Sequence, residues 1–155
     1  MNEYEKAKKL AAGYVAARMY TCSEVAERLI RKKTDREIAE KVVSDFAAAG
    51  ILDDKEYAKA YVSEAIRLGG KGVYRIRQEL YKKGVSGSII DEALKDCEED
   101  TLDALKEYVR LHGFCERVTS RNDLEKLKAR LARRGYSLSE IKKCLSEYEF
   151  DFSEE

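Results

Sequence analysis

Two stretches of this chain hold residues whose types and spacing invite a chemical reading. In the first, Gly69-Gly70-Lys71-Gly72, a lysine stands among glycines as it would in a loop that cradles phosphate. The phosphate loop of nucleotide-hydrolysing proteins needs G-x-x-x-x-G-K followed by serine or threonine, whose hydroxyl holds magnesium, but Gly72 follows Lys71. Two weaker readings survive: Gly72 opens a helix whose free amides and positive dipole end hold one phosphate, or the stretch is a turn between helices. The second stretch, Asp91 to Asp103, carries seven carboxylates and one lysine. It lacks the D-x-D-x-D-G pattern of a calcium loop, so it reads as a solvated junction. Cys22, Cys97, Cys115, Cys144 and the single His112 are too far apart for zinc-ligand spacing. The four cysteines read as reduced thiols, and Cys144, beside Ile141 and Leu145 at helical spacing, as a small buried apolar residue. Nucleophile elbow, H-E-x-x-H and G-x-G-x-x-G patterns are missing as well, so catalytic residue, metal and cofactor are each expected to be none.

What does recur is positive charge, and it recurs because the chain repeats. Residues 72–97 laid over 123–148 match at Leu80/Leu131, Gly84/Gly135, Ser86/Ser137, Ser88/Ser139, Ile90/Ile141 and Leu94/Leu145, an offset of 51 without a gap. Subtracting 51 again reaches Val25, Leu29 and Val43, apolar where the other copies are apolar, and Ile38, apolar like Ile89 of the second copy, with Lys33 in place of the glycine. Under this offset Arg31, Lys82 and Arg133 share one position and Lys32, Lys83 and Arg134 the next, while Arg75 and Lys126 form a twofold match. With Lys71, these residues form the candidate basic surface. Cations near a helix C-terminus also offset its dipole, which is the plainer use. Regularly spaced along a surface, they can follow a phosphate backbone and release its counterions. Tyr74 and Tyr81, seven apart, lie on nearly one helical face and suit either interhelical contact or stacking on bases.

The elements that carry these residues are expected to be helices. The chain has 155 residues, 44% apolar and 39% charged, with no proline, and its 30 cations balance 30 anions, against attachment to DNA by bulk charge alone. Apolar stripes fall at Tyr57, Tyr61, Ala65 and Leu68, at Val73, Ile76 and Leu80, and at Ile90, Leu94 and Cys97. The first copy opens with Ala7, Leu10, Ala11, Tyr14 and Val15 on one side. Capping-box spacings at Thr21/Glu24, Thr34/Glu37, Asp53/Glu56, Ser120/Asp123 and Ser137/Glu140 mark helix starts. Gly50, Gly69 with Gly70, Gly84 and Gly135 mark stops. Nine helices of about 10 to 16 residues are expected, in an all-α fold of three tandem three-helix repeats forming an elongated, curved rod. The divisions fall at 1–51, 52–99 and 100–149, followed by an acidic tail, 150–155. The third copy is the least regular: "LHGFCERVTSRND" lengthens a turn, and its opening helix, Thr101 to Leu111, aligns poorly. Glu147, Glu149, Asp151, Glu154 and Glu155 are expected to fray. The N-terminus lacks the apolar run of a signal peptide and no segment approaches a membrane span, so a cytoplasmic protein is expected.

The ordered set Asp54, Tyr57-Ala58, Tyr61-Val62, Arg67, Gly72, Arg75-Ile76, Glu79-Leu80, Lys82-Lys83-Gly84-Val85, Ile90 and Ala93-Leu94 resembles the RecX family of bacterial regulatory proteins. The resemblance implies tandem three-helix repeats without a catalytic centre. It also implies binding to the RecA recombinase filament on single-stranded DNA, impeding its extension, ATP hydrolysis and strand exchange. Separately, a monomer is expected. Carried over by position, Arg75, Lys82 and Lys83 face filament or DNA, with Arg133 and Arg134 as their equivalents in the third copy. A helical adaptor that binds only protein is the alternative.

Overall fold

The computed structural model describes residues 1–153. The chain before Glu154 is all-helical: α1 (Glu3–Ala17), α2 (Cys22–Arg31), α3 (Arg36–Ala48), α4 (Asp54–Leu68), α5 (Val73–Lys82), α6 (Gly87–Leu94), α7 (Glu98–His112), α8 (Arg121–Arg133) and α9 (Leu138–Leu145), with a 3-10 turn at Cys115–Arg117. These nine α-helices run from 8 to 15 residues, α6 and α9 being shorter than expected.

The helices keep the 51-residue register. Adding 51 to the bounds of α1 and α2 gives those of α4 and α5, and adding it to α6 gives α9. The register slips at α7, which begins and ends seven residues early, two helical turns. The connection from α7 to α8 lengthens in return and takes up the 3-10 turn, so α7 covers Glu98–His112 where Thr101 to Leu111 was expected.

Local chemistry explains the helix ends. Thr21 with Glu24 and Ser137 with Glu140 form complete capping boxes, each hydroxyl accepting from the third amide and each carboxylate accepting from the cap amide. Asp53 Oδ1 accepts from the amides of Lys55 and Glu56 at 3.0 and 3.2 Å. Ser120 accepts from Asp123, but the Asp123 carboxylate reaches back to Thr119 rather than closing on its own cap. The Thr34/Glu37 expectation is corrected: Asp35 is the cap of α3 and accepts from the Glu37 amide. Thr34 is unavailable, because its amide closes the end of α2 by donating to Leu29 O at 3.0 Å and the residue is buried.

The same closure occurs three times. Thr34, Val85 and Tyr136 donate to Leu29, Leu80 and Leu131, five residues back around one left-handed residue: Lys33 at φ 72°, Gly84 at 83° and Gly135 at 96°. Lysine thus holds the conformation that glycine holds in the other two copies.

The chain divides into two compact units, Met1–Ala60 with Leu80–Ala93, and Tyr61–Glu79 with the chain from Leu94 onward. In the first, Ala7, Ala11, Val25, Leu29, Ala39, Val42 and Phe46 form a continuous buried cluster. In the second, Leu105, Val109, Phe114, Leu127, Leu131, Ile141, Cys144 and Leu145 do so. Ala58 and Val62, one register on from Ala7 and Ala11, are buried too. Two apolar stripes need correcting: Leu68 is 67% exposed and Leu10 38%, because the small residues at 7, 11, 58 and 62 turn a neighbouring face of each helix inward.

The expected fraying also needs correction. Glu147 pairs with Lys106 at 2.8 Å, and Tyr148 and Phe150 pack against the apolar cluster of the second unit, so aromatic burial holds the start of the tail. Glu149 and Asp151 are exposed; Glu154 and Glu155 lie outside the described residues. No described helix is long and apolar enough to cross a membrane.

Candidate functional site

Each unit contains one junction between successive copies of the repeat, and the candidate cations divide according to whether they serve it. In the first unit the turn after α5 lies against the start of α2. Thr21 Oγ1 donates to Lys83 O at 2.7 Å, and Lys83 Nζ stands 3.8 Å from Glu24 Oε2. A Cβ added to Gly84 would overlap the Ser23 side chain. In the second unit the turn after α8 meets the start of α5 in the same way. The Gly72 amide donates to Arg134 O at 2.9 Å and the Tyr74 amide to Gly135 O at 3.2 Å. A Cβ on Gly135 would stand 2.5 Å from the Arg75 amide nitrogen.

These bonds decide the Gly72 question. The amides that would hold a phosphate are occupied by Arg134 and Gly135 carbonyls, and Gly72 is buried, so the anion reading is corrected in favour of a junction between helices. Arg134 is drawn into the same junction: its Nε donates to Gly70 O at 2.6 Å and its guanidinium lies 5.9 Å from the Tyr108 ring centroid. Lys83 and Arg134 therefore help close the fold.

Lys71 and Arg75 are held by one carboxylate. Lys71 Nζ lies 2.9 Å from Glu79 Oε2, Arg75 Nε lies 3.2 Å from Oε1, and the Tyr61 hydroxyl donates to Oε2. Burial pushes the Glu79 carboxyl upward, but the three hydrogen bonds outweigh it and leave the group below its usual range.

The remaining candidates face solvent. Arg31, Lys82 and Arg133, at one repeat position at the ends of α2, α5 and α8, are exposed and make no ion pair among the described residues; Lys32 and Lys126 are exposed likewise. The basic pairs are thus unlike within each pair: the first member points outward in every copy, while the second serves a junction in the two copies that have one.

Tyr74 and Tyr81 are 63% and 72% exposed, which corrects the interhelical reading and leaves two aromatic rings on the surface of α5. Cys115 and Cys144 are buried and Cys22 partly so, and burial pushes each of these thiols up to about 11. Among the described residues no group of three histidine, cysteine or carboxylate side chains is placed to hold a metal ion, the acidic run included.

Known proteins share this arrangement. The RecX first three-helix domain matches residues 7–46 and the RecX second three-helix domain matches residues 53–94. The regulatory protein RecX of Clostridium acetobutylicum is 32% identical over 152 residues, covering 94% of this chain and 70% of that protein. That of Chlorobium phaeobacteroides is 31% identical and covers 92% and 93%. The chain spans 59% of the length of the Lactococcus lactis subsp. cremoris regulatory protein RecX, to which it is 30% identical. A crystal structure of a regulatory protein RecX superposes at a TM-score of 0.84 with 26% identity, over 94% of this chain and 72% of that one. The crystal structure of RecX from Lactobacillus salivarius shares the fold at a TM-score of 0.81 with 23% identity, over 94% and 96%. Paired three-helix domains in register, a helical fold shared with both crystal structures and about 30% identity along nearly the whole chain establish that this protein belongs to the RecX family, a family of regulatory proteins rather than enzymes.

Proposed function

We propose that this chain binds the RecA recombinase filament on single-stranded DNA and inhibits its extension, ATP hydrolysis and strand exchange. The observation that carries this reading is the outward cation at one repeat position, Arg31, Lys82 and Arg133, exposed and without an ion pair among the described residues. Three equivalent cations suit a partner that itself repeats, such as a phosphate backbone or acidic side chains along a helical filament. Catalysis is not needed for such inhibition, and the acting form is a monomer organised as three repeats, 1–51, 52–99 and 100–149. Lys32 and Lys126 add to the binding surface, and Lys71, Arg75, Lys83 and Arg134 support it by fixing the helix ends that bear it.

Charge reversal tests the assignment. A variant with Arg31→Glu, Lys82→Glu and Arg133→Glu should stay folded, since all three side chains are exposed and none is ion-paired among the described residues, and should melt somewhat lower, since each change removes a helix-end cation worth about 0.3–1 kcal/mol. It should no longer slow strand exchange at protein levels equal to recombinase. A variant that inhibits like the wild type removes these positions from the interface.

A further inference from the structure

The repeat register makes residues 24, 75 and 126 equivalent, and likewise 28, 79 and 130, one helical turn further on. The first two copies put opposite charges there: Glu24 with Arg28, and Arg75 with Glu79, the latter bonded at 3.2 Å. The third puts Lys126 with Arg130, like charges at a spacing where they repel. A third cation, Arg117, comes from the 3-10 turn in the longer α7–α8 connection, where the register slips. Thus the charge rule and the length rule of the repeat are broken at one place, and such breaks concentrate at functional sites.

The three cations, all exposed and without an ion pair among the described residues, line an open cleft of about 210 Å³ floored by Phe114, Val118 and Leu127. The guanidinium carbons of Arg130 and Arg117 lie 4.5 and 5.5 Å from the Phe114 ring centroid, so both are held over one ring. Asp123 is the one carboxylate in the wall. Its Oδ2 accepts from the Thr119 amide at 3.1 Å and hydroxyl at 2.9 Å, bonds that hold it below the usual carboxylate range. Asp123 also interacts electrostatically with Lys126, so one carboxylate already bonded to Thr119 faces three cations; covering Phe114 explains two of them, and a net positive charge is left in the cleft.

We propose that Arg117, Lys126 and Arg130 hold a phosphate of single-stranded nucleic acid in this cleft. Guanidinium forks meet phosphate oxygens two at a time, Lys126 adds a point charge, and the apolar floor accepts the sugar. The cleft is open at the surface, so a strand can lie against it. The proposal rests on the reading that a strand lies along this protein, and it adds a phosphate site apart from the recurring position of Arg31, Lys82 and Arg133.

The test uses the whole chain and a fluorescein-labelled oligothymidylate of about thirty nucleotides, without recombinase, with binding followed by anisotropy from about 50 to 200 mM salt. A variant with Arg117→Gln, Lys126→Gln and Arg130→Gln should bind at least about tenfold more weakly at the low-salt end. Its plot of log affinity against log salt should be flatter by about 0.7, the slope that one phosphate no longer neutralised removes. A charge-matched control, Lys6→Gln with Lys8→Gln and Lys9→Gln, should keep the wild-type slope. Lys126→Glu alone exchanges the attraction to Asp123 for the opposite-charge pair of the other copies, so it should stay folded with a melting temperature near wild type and yet bind the oligonucleotide more weakly. A triple variant with wild-type affinity and slope overturns the proposal, and if that variant has lost its grip on the recombinase the cleft serves an acidic protein segment instead. Wild-type protein that ignores the oligonucleotide at every salt overturns it too, whatever its effect on recombinase. Oligonucleotide binding abolished in the triple variant, beside an inert effect of wild-type protein on recombinase, leaves the cleft standing and removes only the inhibitory function.

Discussion

Glu79 is the residue on which three neighbours depend, since the Tyr61 hydroxyl, Lys71 and Arg75 all meet its carboxylate. Its folded-state titration lies below the usual carboxylate range, so its stabilising contribution is present above that range and is lost as pH falls through the folded value. Glu79→Gln is therefore expected to cost about 1 kcal/mol at neutral pH and to flatten the loss of stability on acidification, measured by urea unfolding across about pH 3 to 7. The cysteines make a second prediction. With burial pushing Cys115 and Cys144 up to about 11, native protein at neutral pH should resist iodoacetamide at both positions, and unfolded protein should not, as read by mass spectrometry. The burial of Cys144 was legible from Ile141 and Leu145 at helical spacing. The duties of Lys83 and Arg134 were not, because a basic residue's partner is set by which carbonyl or carboxylate a neighbouring turn delivers, and residues 70 and 134 are distant in sequence.

At the scale of the element, the turns after α2, α5 and α8 show why one left-handed position takes lysine and two take glycine. A Cβ at Gly84 or Gly135 would overlap Ser23 or Arg75, whereas position 33 carries a whole lysine side chain in the same left-handed conformation. Glycine is thus required for close approach, and the backbone angle alone is tolerable for another residue. Gly84→Ala and Gly135→Ala should each destabilise by more than about 2 kcal/mol, since both add backbone strain to an overlap. Lys33→Gly should leave stability unchanged or raise it by up to about 1 kcal/mol, because it relieves strain and meets no neighbour. Thermal melting of the three variants checks the contrast. Helix starts and stops were readable from caps and glycines, with Thr34 as the instructive miss: its amide belongs to the preceding helix's closure, a preference that spacing to Glu37 does not reveal. The shift of α7 was seen only as poor alignment, because the acidic run supplies good helix formers without an apolar marker for the first turn.

At the scale of the whole molecule, the repeat was the most legible property, because an offset of 51 fixes equivalent positions even where residues differ. It delivered the all-helical class, the helix count before Glu154 and the triplet Arg31, Lys82 and Arg133. The division into two compact units, with the middle copy's residues shared between them, was not legible, since it follows from which turn meets which helix start. Membership of the RecX family sets the regulatory role, and the proposed function assigns the outward cations to contact with a filament. The most direct test is ATP hydrolysis by RecA on single-stranded DNA as the protein is titrated to equal concentration. Wild-type protein should lower hydrolysis, and the fall should disappear with Arg31→Glu, Lys82→Glu and Arg133→Glu combined; hydrolysis unaffected by stoichiometric wild-type protein contradicts inhibition of the filament.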